Sequence, residues 1–222
     1  KDDDKKKPIT YISVAPYQEQ NKINMIEAIG TPDNESIQHL PFQDLKGGNN
    51  RQILYINGAS GSGKSYYTAM YIKEYLKMFT KNNVYIFSSL KEDKKIDELH
   101  KSRIKRIKLN EKFVNTPLTI EDFKNSLVVY DDTEMISSPC LMQKLVALKS
   151  LIMTTGRHTN TFYIETCHLP GGHQNKLLLA EAFSVTLFLG NMGAKSAHRF
   201  LENAFGFNTK QVRMIRAIKS RW

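Results

Sequence analysis

The sequence predicts an α/β protein with a mainly parallel central sheet flanked by helices, and three stretches carry that reading. Ile53-Leu54-Tyr55-Ile56 is an apolar run suited to a short buried strand, and residues 66–79 behind it place apolar side chains at helical spacing without Gly or Pro. Leu127-Val128-Val129-Tyr130 is apolar throughout, as a strand covered on both faces must be. Around these two, strand-like and helix-like segments alternate, which is how βαβ units and a parallel sheet are built.

Between the first strand and its helix stands Gly58-Ala59-Ser60-Gly61-Ser62-Gly63-Lys64-Ser65, which fits the phosphate-loop pattern G-x-x-x-x-G-K-[ST]. Its glycines let successive backbone N–H groups turn inward around phosphate oxygens. Lys64 is then expected to reach the β- and γ-phosphates, and Ser65 to offer its hydroxyl to Mg²⁺. The helix opening with Ser65 and Tyr66 sets its positive end against the anion. ATP with Mg²⁺ is the expected cofactor, held by residues 58–66.

Taken in order, residues 1–7 (KDDDKKK) read as a charged tail or the remnant of a tag, and residues 8–50 as a small N-terminal extension. In the extension residues 9–14 are expected as a strand, and Met25-Ile26 lie in a weakly helical patch. Residues 51–208 form the expected catalytic core. After the first helix come a strand at 83–88, a charged helix at 91–99, a strand at 103–109 and one helical turn at 120–124. The strand at 127–130 follows, then a helix at 139–155, a strand at 161–166, a helix at 175–182 and a strand at 184–189. A helix at 194–205 and a basic helix over 209–222 close the chain. Gly171-Gly172 mark a loop after the 161–166 strand, and residues 169–176 are a candidate for contact with a polyanion.

The strand at 127–130 discharges Asp131 and Asp132 at its C-terminal end, where a nucleotide-binding sheet needs acidic groups. Asp131 is the expected metal partner and Asp132 the group that polarises the attacking water; Glu134, on the same loop and longer, is the alternative base. His158, Cys167, His168 and His173 match no standard zinc-ligand spacing.

Lys+Arg 32 against Asp+Glu 22 give a net charge of +10, which favours a polyanionic partner. Two basic clusters stand out, residues 101–108 and 210–221. Cys140 and Cys167 form no framework, so a reducing compartment is expected, and no apolar stretch approaches the ~20 residues that span a bilayer. A soluble protein inside the cell follows from that reading. A guanine-nucleotide switch is disfavoured because N-K-x-D is absent and the acidic strand lacks D-x-x-G.

GASGSGKS, the strand YIFS, LVVYDD and GRHTN leading into a strand with a polar residue at its end occur here together. In this combination the chain resembles the FtsK/HerA superfamily of P-loop ATPases, and most the genome-packaging ATPases of large nucleocytoplasmic DNA viruses and virophages. The resemblance covers roughly residues 51–205. It implies a RecA-like (ASCE) core working as a ring, pentamer or hexamer, that couples ATP hydrolysis to moving double-stranded DNA into a preformed capsid. Capsid or portal-vertex proteins are then implied as partners, and the host cytoplasm, with its viral factory, and the virion as locations. By position, Lys64, Ser65, Asp131 and Asp132 match the nucleotide, metal and catalytic positions. Arg157 falls where related motors place an arginine finger for a neighbouring subunit, and His168 where they carry a γ-phosphate sensor. A cellular DNA pump or helicase of the same superfamily and a small-molecule or nucleoside kinase are the alternatives.

Overall fold

The computed structural model describes residues 10–13, 25–28, 51–170, 176–189 and 192–217. The elements are β1 (Thr10–Ser13), β2 (Met25–Ala28), β3 (Ile53–Asn57), α1 (Lys64–Met78), β4 (Asn83–Ser88), α2 (Lys94–Asp97), β5 (Ile104–Ile107) and α3 (Glu111–Asn115). Then follow β6 (Ser126–Asp131), α4 (Pro139–Thr155), β7 (Thr161–Cys167), α5 (Lys176–Glu181), β8 (Ser184–Leu187), α6 (Ala194–Phe205) and α7 (Thr209–Ala217). Single 3₁₀ turns at Ile120–Phe123 and Thr133–Met135 flank β6.

The core is a six-stranded sheet in the order β5-β4-β6-β7-β3-β8, with every pair parallel. β7 lies between β3 and β6, so the strand carrying the phosphate loop and the strand ending in Asp131 are not neighbours. This inserted strand makes the fold RecA-like, in agreement with the sequence reading. All strands point the same way, so their C-terminal ends, and whatever residues follow them, share one edge of the sheet.

Side-chain alternation divides the core into two layers. Leu54, Ile56, Val84, Ile86, Leu127, Val129, Phe162 and Ile164 face α1 and α2, packing on Tyr71, Ile72, Tyr75 and Ile96. Ile53, Tyr55, Phe87, Val128, Tyr130 and Tyr163 face the other layer, against Phe113 of α3, Leu145, Leu148 and Ile152 of α4, Leu178 of α5 and Phe200 of α6. β3, β6 and β7 are buried along their whole length, which is why they read as near-continuous apolar runs.

Three segments differ from the sequence reading. The charged helix expected over 91–99 shortens to the single turn of α2, where the Asp93 side chain accepts from Lys95 N. α3, which the apolar pattern does not announce, is fixed by Asn110, whose side chain accepts from Phe113 N, and by burial of Phe113. Met25-Ile26 belong to a strand rather than a helical patch: β2 pairs antiparallel with β1, Ile12 opposite Ile26. A paired strand satisfies backbone groups that one isolated helical turn would leave to water. The strand expected over 9–14 is β1. The tail at 1–7, Gly171-Gly172, His173 and residues 218–222 of the expected basic helix lie outside the described residues.

Candidate nucleotide site

The loop between β3 and α1 is shaped by what lies beneath it. A side chain at Gly58 would come within 2.7 Å of Phe188 Cβ and 2.5 Å of Ser62 Oγ, so only hydrogen fits. Gly63 sits at φ +115°, a conformation that L side chains rarely adopt, and becomes the N-cap of α1. Phe188, which follows β8, is buried under both glycines, and its N–H is anchored to Asn57 O at 2.8 Å. Nothing in the sequence pattern marks Phe188 as part of the loop; only the β8–β3 pairing brings it there.

Lys64 is 5% exposed, and its Nζ donates to Gly58 O at 2.9 Å. The same ammonium lies 3.2 Å from His168 Nδ1 and 3.6 Å from Asp132 Oδ1. His168 Nε2 is 3.0 Å from Asp132 Oδ2. An ammonium can only donate, so Nδ1 of His168 accepts from Lys64, which leaves Nε2–H to donate to Asp132. Loop lysine, acidic strand end and the residue after β7 thus form one closed triangle.

A second row holds Asp131. Ser88, Asp131 and Thr166 occupy one register line across β4, β6 and β7. Ser88 Oγ donates to Asp131 Oδ2 at 3.1 Å and Thr166 Oγ1 to Asp131 Oδ1 at 2.9 Å. Asp131 is 2% exposed, and its pKa is raised, chiefly by loss of hydration and further by Asp132, while the two hydroxyls partly offset this. Ser88 and Thr166 were not singled out from sequence; both are ordinary strand residues until the register aligns them.

Asp132 adopts φ 47°, ψ 37°, left-handed for a residue with a side chain, and its N–H donates to Thr166 Oγ1 at 3.0 Å. That turn swings its carboxylate off the strand and toward Lys64 and His168. Glu134 points elsewhere: its Oε1 accepts from the backbone N–H of His168. Ser65 is half-buried and Tyr66 is 54% exposed, both in the first turn of α1.

Arg157 is not in this cluster. It is exposed in the turn between α4 and β7, at the N-terminal edge of the sheet, opposite the phosphate loop. It does not cap α4 either. That part is taken by Arg51, which donates to Ile152 O at 2.8 Å and to Met153 O. Of the first basic cluster, Arg103 donates to Leu76 O and Phe79 O at the end of α1, and Arg106 holds Asp97 at 2.9 Å, so both guanidiniums serve the fold. His158 lies on the same turn as Arg157, Cys167 is buried beside Glu165, and among the described residues no group of three His, Cys, Asp or Glu is placed to hold a metal. No helix among the described residues is long and apolar enough to cross a membrane.

A phosphate loop on one parallel strand, an acidic strand end two places away and a polar residue closing the strand between them define a P-loop NTPase of RecA-like fold. The comparisons with known proteins place it further. Protein V3 of Sputnik virophage, uncharacterized, is 37% identical over 175 residues, spanning 78% of this chain and 69% of V3. The chain belongs to the family of that virophage protein, as the resemblance in its sequence implies. The genome-packaging NTPase B204 of Sulfolobus turreted icosahedral virus 2, solved with sulfate, is 13% identical with a TM-score of 0.50, over 76% of this chain and 87% of B204. The same protein solved with AMPPCP gives 14% identity and a TM-score of 0.50, over 76% and 88%. No family model matches the chain.

Proposed function

We propose that this chain is an ATPase, and that it hydrolyses ATP to drive double-stranded DNA into a preformed viral capsid as one subunit of a homo-oligomeric ring. The observation that carries the reading is the Lys64–His168–Asp132 triangle beside buried Asp131, which brings phosphate-binding and acid–base groups together at one sheet edge. Membership in a virophage family and the fold of a packaging NTPase support the viral setting.

Asp131 and Ser65 would hold Mg²⁺, and their hard oxygen donors fit it; when bound the ion neutralises charge on the phosphate oxygens. Lys64 rests on loop carbonyls and on Asp132. Lys64 would turn from Asp132 to the γ-phosphate, and Asp132 would then take a proton from the attacking water. His168, donating to Asp132 from Nε2 and accepting from Lys64 at Nδ1, ties the state of the carboxylate to the occupancy of the loop. Glu134, whose carboxylate is engaged by the His168 backbone, holds the end of β7 in place, which leaves Asp132 as the base. Arg157, exposed at the far edge of the sheet, is assigned to the active site of the adjacent subunit, where a guanidinium would stabilise charge on the transferred phosphoryl group. Residues 51–208 form the motor core, 8–50 an extension and 209–222 a basic C-terminal helix.

The test is the steady-state ATPase rate with and without long double-stranded DNA at low salt, beside Lys64→Ala and with a mass measurement on the same sample. Stimulation by DNA that vanishes in the variant is expected. Turnover indifferent to DNA in an assembled ring would overturn the motor reading and favour a kinase.

A further inference from the structure

The second basic cluster of the sequence changes character once the chain is folded. α7 is amphipathic, and Val212 is fully buried where the helix meets α6. Packing α7 by that residue leaves Arg213 and Arg216, one turn apart, on the lip of a groove between the two helices. The opposite lip carries Lys195 and His198, also one turn apart, from the first two turns of α6. Thr209, at the start of α7, completes the lining with a hydroxyl. The open groove has a volume of about 560 Å³.

Three permanent cations and a histidine therefore face one groove, and among the described residues none that line it is acidic. Glu202, one turn on from His198 and outside the lining, is 3.9 Å from His198 Nε2 and itself mostly exposed. Like charges on both lips repel one another, and an anion lying between them would relieve that repulsion. The groove offers an incoming peptide no anchor: its apolar lining is Val212, which is already buried, and Ala194. A phosphodiester requires no apolar anchor. Its oxygens take paired N–H donors from guanidiniums, a point charge from lysine and a hydroxyl.

The groove's position links it to the nucleotide site. β8 lies beside β3, Phe188 at its end supports Gly58 and Gly63, and α6 begins six residues later. Phe200 of α6 packs on Tyr55 of β3, with ring centroids 6.3 Å apart. The packing of Phe188 and Phe200 thus connects the phosphate loop and β3 to the helix that carries one lip.

We infer that the groove between α6 and α7 is a backbone clamp for double-stranded DNA, in which Lys195, Arg213 and Arg216 grip phosphates without reading sequence. The inference rests on the DNA-motor reading, and its test separates the two. Binding of a labelled random-sequence duplex is measured by anisotropy across a salt series for the full chain, for Arg213→Ala/Arg216→Ala, and for Lys81→Ala/Lys112→Ala. The last pair removes the same charge from exposed positions elsewhere. Each phosphate contact contributes about 0.9 to the slope of log K against log salt. The arginine pair is expected to lower that slope by about 2 and the affinity at 0.1 M salt by roughly fiftyfold, equally for different sequences. The lysine pair should move both far less, and binding of a fluorescent ATP analogue should be unchanged in all three proteins. Equal effects from the two pairs would mean that net charge alone attracts DNA and would overturn the clamp while leaving the motor reading intact. Absence of duplex binding by the unmodified chain at low salt would overturn both.

Discussion

Two clusters of a lysine, a carboxylate and a hydrogen-bonding partner meet β7, one at Glu165 within the strand and one at His168 just after it, and their surroundings give them opposite roles. Glu165 points into the layer under α4, where it is paired with Lys149 and accepts from Tyr163 OH at 2.6 Å. Lys149 also lies 5.1 Å over the Tyr130 ring. Lys149 is 8% and Glu165 3% exposed, and the ionic partners belong to elements that the core holds in place. Thr166 and His168 turn instead toward the sheet edge. There Lys64 and Asp132 stand 3.6 Å apart, with Asp132 and His168 side chains 22% and 27% exposed. Burial with short contacts makes the first cluster a fixed part of the fold. Longer contacts, water access and an ammonium shared among several acceptors make the second exchangeable, as a site that must accept phosphate requires.

The sharpest way to break this comparison is to remove each lysine. Lys64→Ala is expected to lower ATP hydrolysis on the order of 10³-fold or more, with the thermal midpoint almost unchanged. Lys149→Ala should do the reverse. Leaving Glu165 charged and unpaired in the core should cost about 3–5 kcal/mol of stability by denaturant unfolding, while turnover per folded molecule stays near normal. Lys149→Met combined with Glu165→Leu should recover much of that loss, because two matched apolar groups need no desolvation of charge. If the double variant is no more stable than the single, the cluster does more than satisfy its own charges.

The two clusters were unequally legible. The edge cluster announces itself, since GASGSGKS and LVVYDD carry a local chemical pattern, although the strand order that joins them is set by the sheet pairing. The core cluster does not. Lys149 reads as an ordinary polar position on a helix and Glu165 as a break in a strand; their pairing depends on α4 lying over β7, a long-range fact. The same limit hid Ser88, Thr166 and Phe188, each assigned by register or by a neighbouring strand rather than by its own sequence context. It also covers Arg103 and Arg106, whose run of positive charge stands out in the sequence although both guanidiniums are held by the end of α1 and by Asp97.

Within the edge cluster, Asp132→Asn separates binding from chemistry. The amide keeps the shape and can still accept from His168, but it cannot take a proton. Hydrolysis is expected to fall by about 10²–10⁴-fold while ATP remains bound, which a nucleotide-retention assay reads directly.

Glu134→Gln is the smallest expected effect and the one that decides between the two carboxylates on this loop. The carboxylate of Glu134 is occupied by the His168 backbone N–H, and a glutamine oxygen can still accept that hydrogen bond, though without the charge. If Glu134 acts by holding the end of β7, removing its charge should change the ATPase rate by less than about threefold, whereas Glu134→Ala, which removes the acceptor and frees His168 to move, should cost about tenfold. A glutamine variant as inactive as Asp132→Asn would reverse the assignment: the longer side chain would then have to leave its backbone partner when nucleotide binds, and Asp132 would be the residue that positions Lys64.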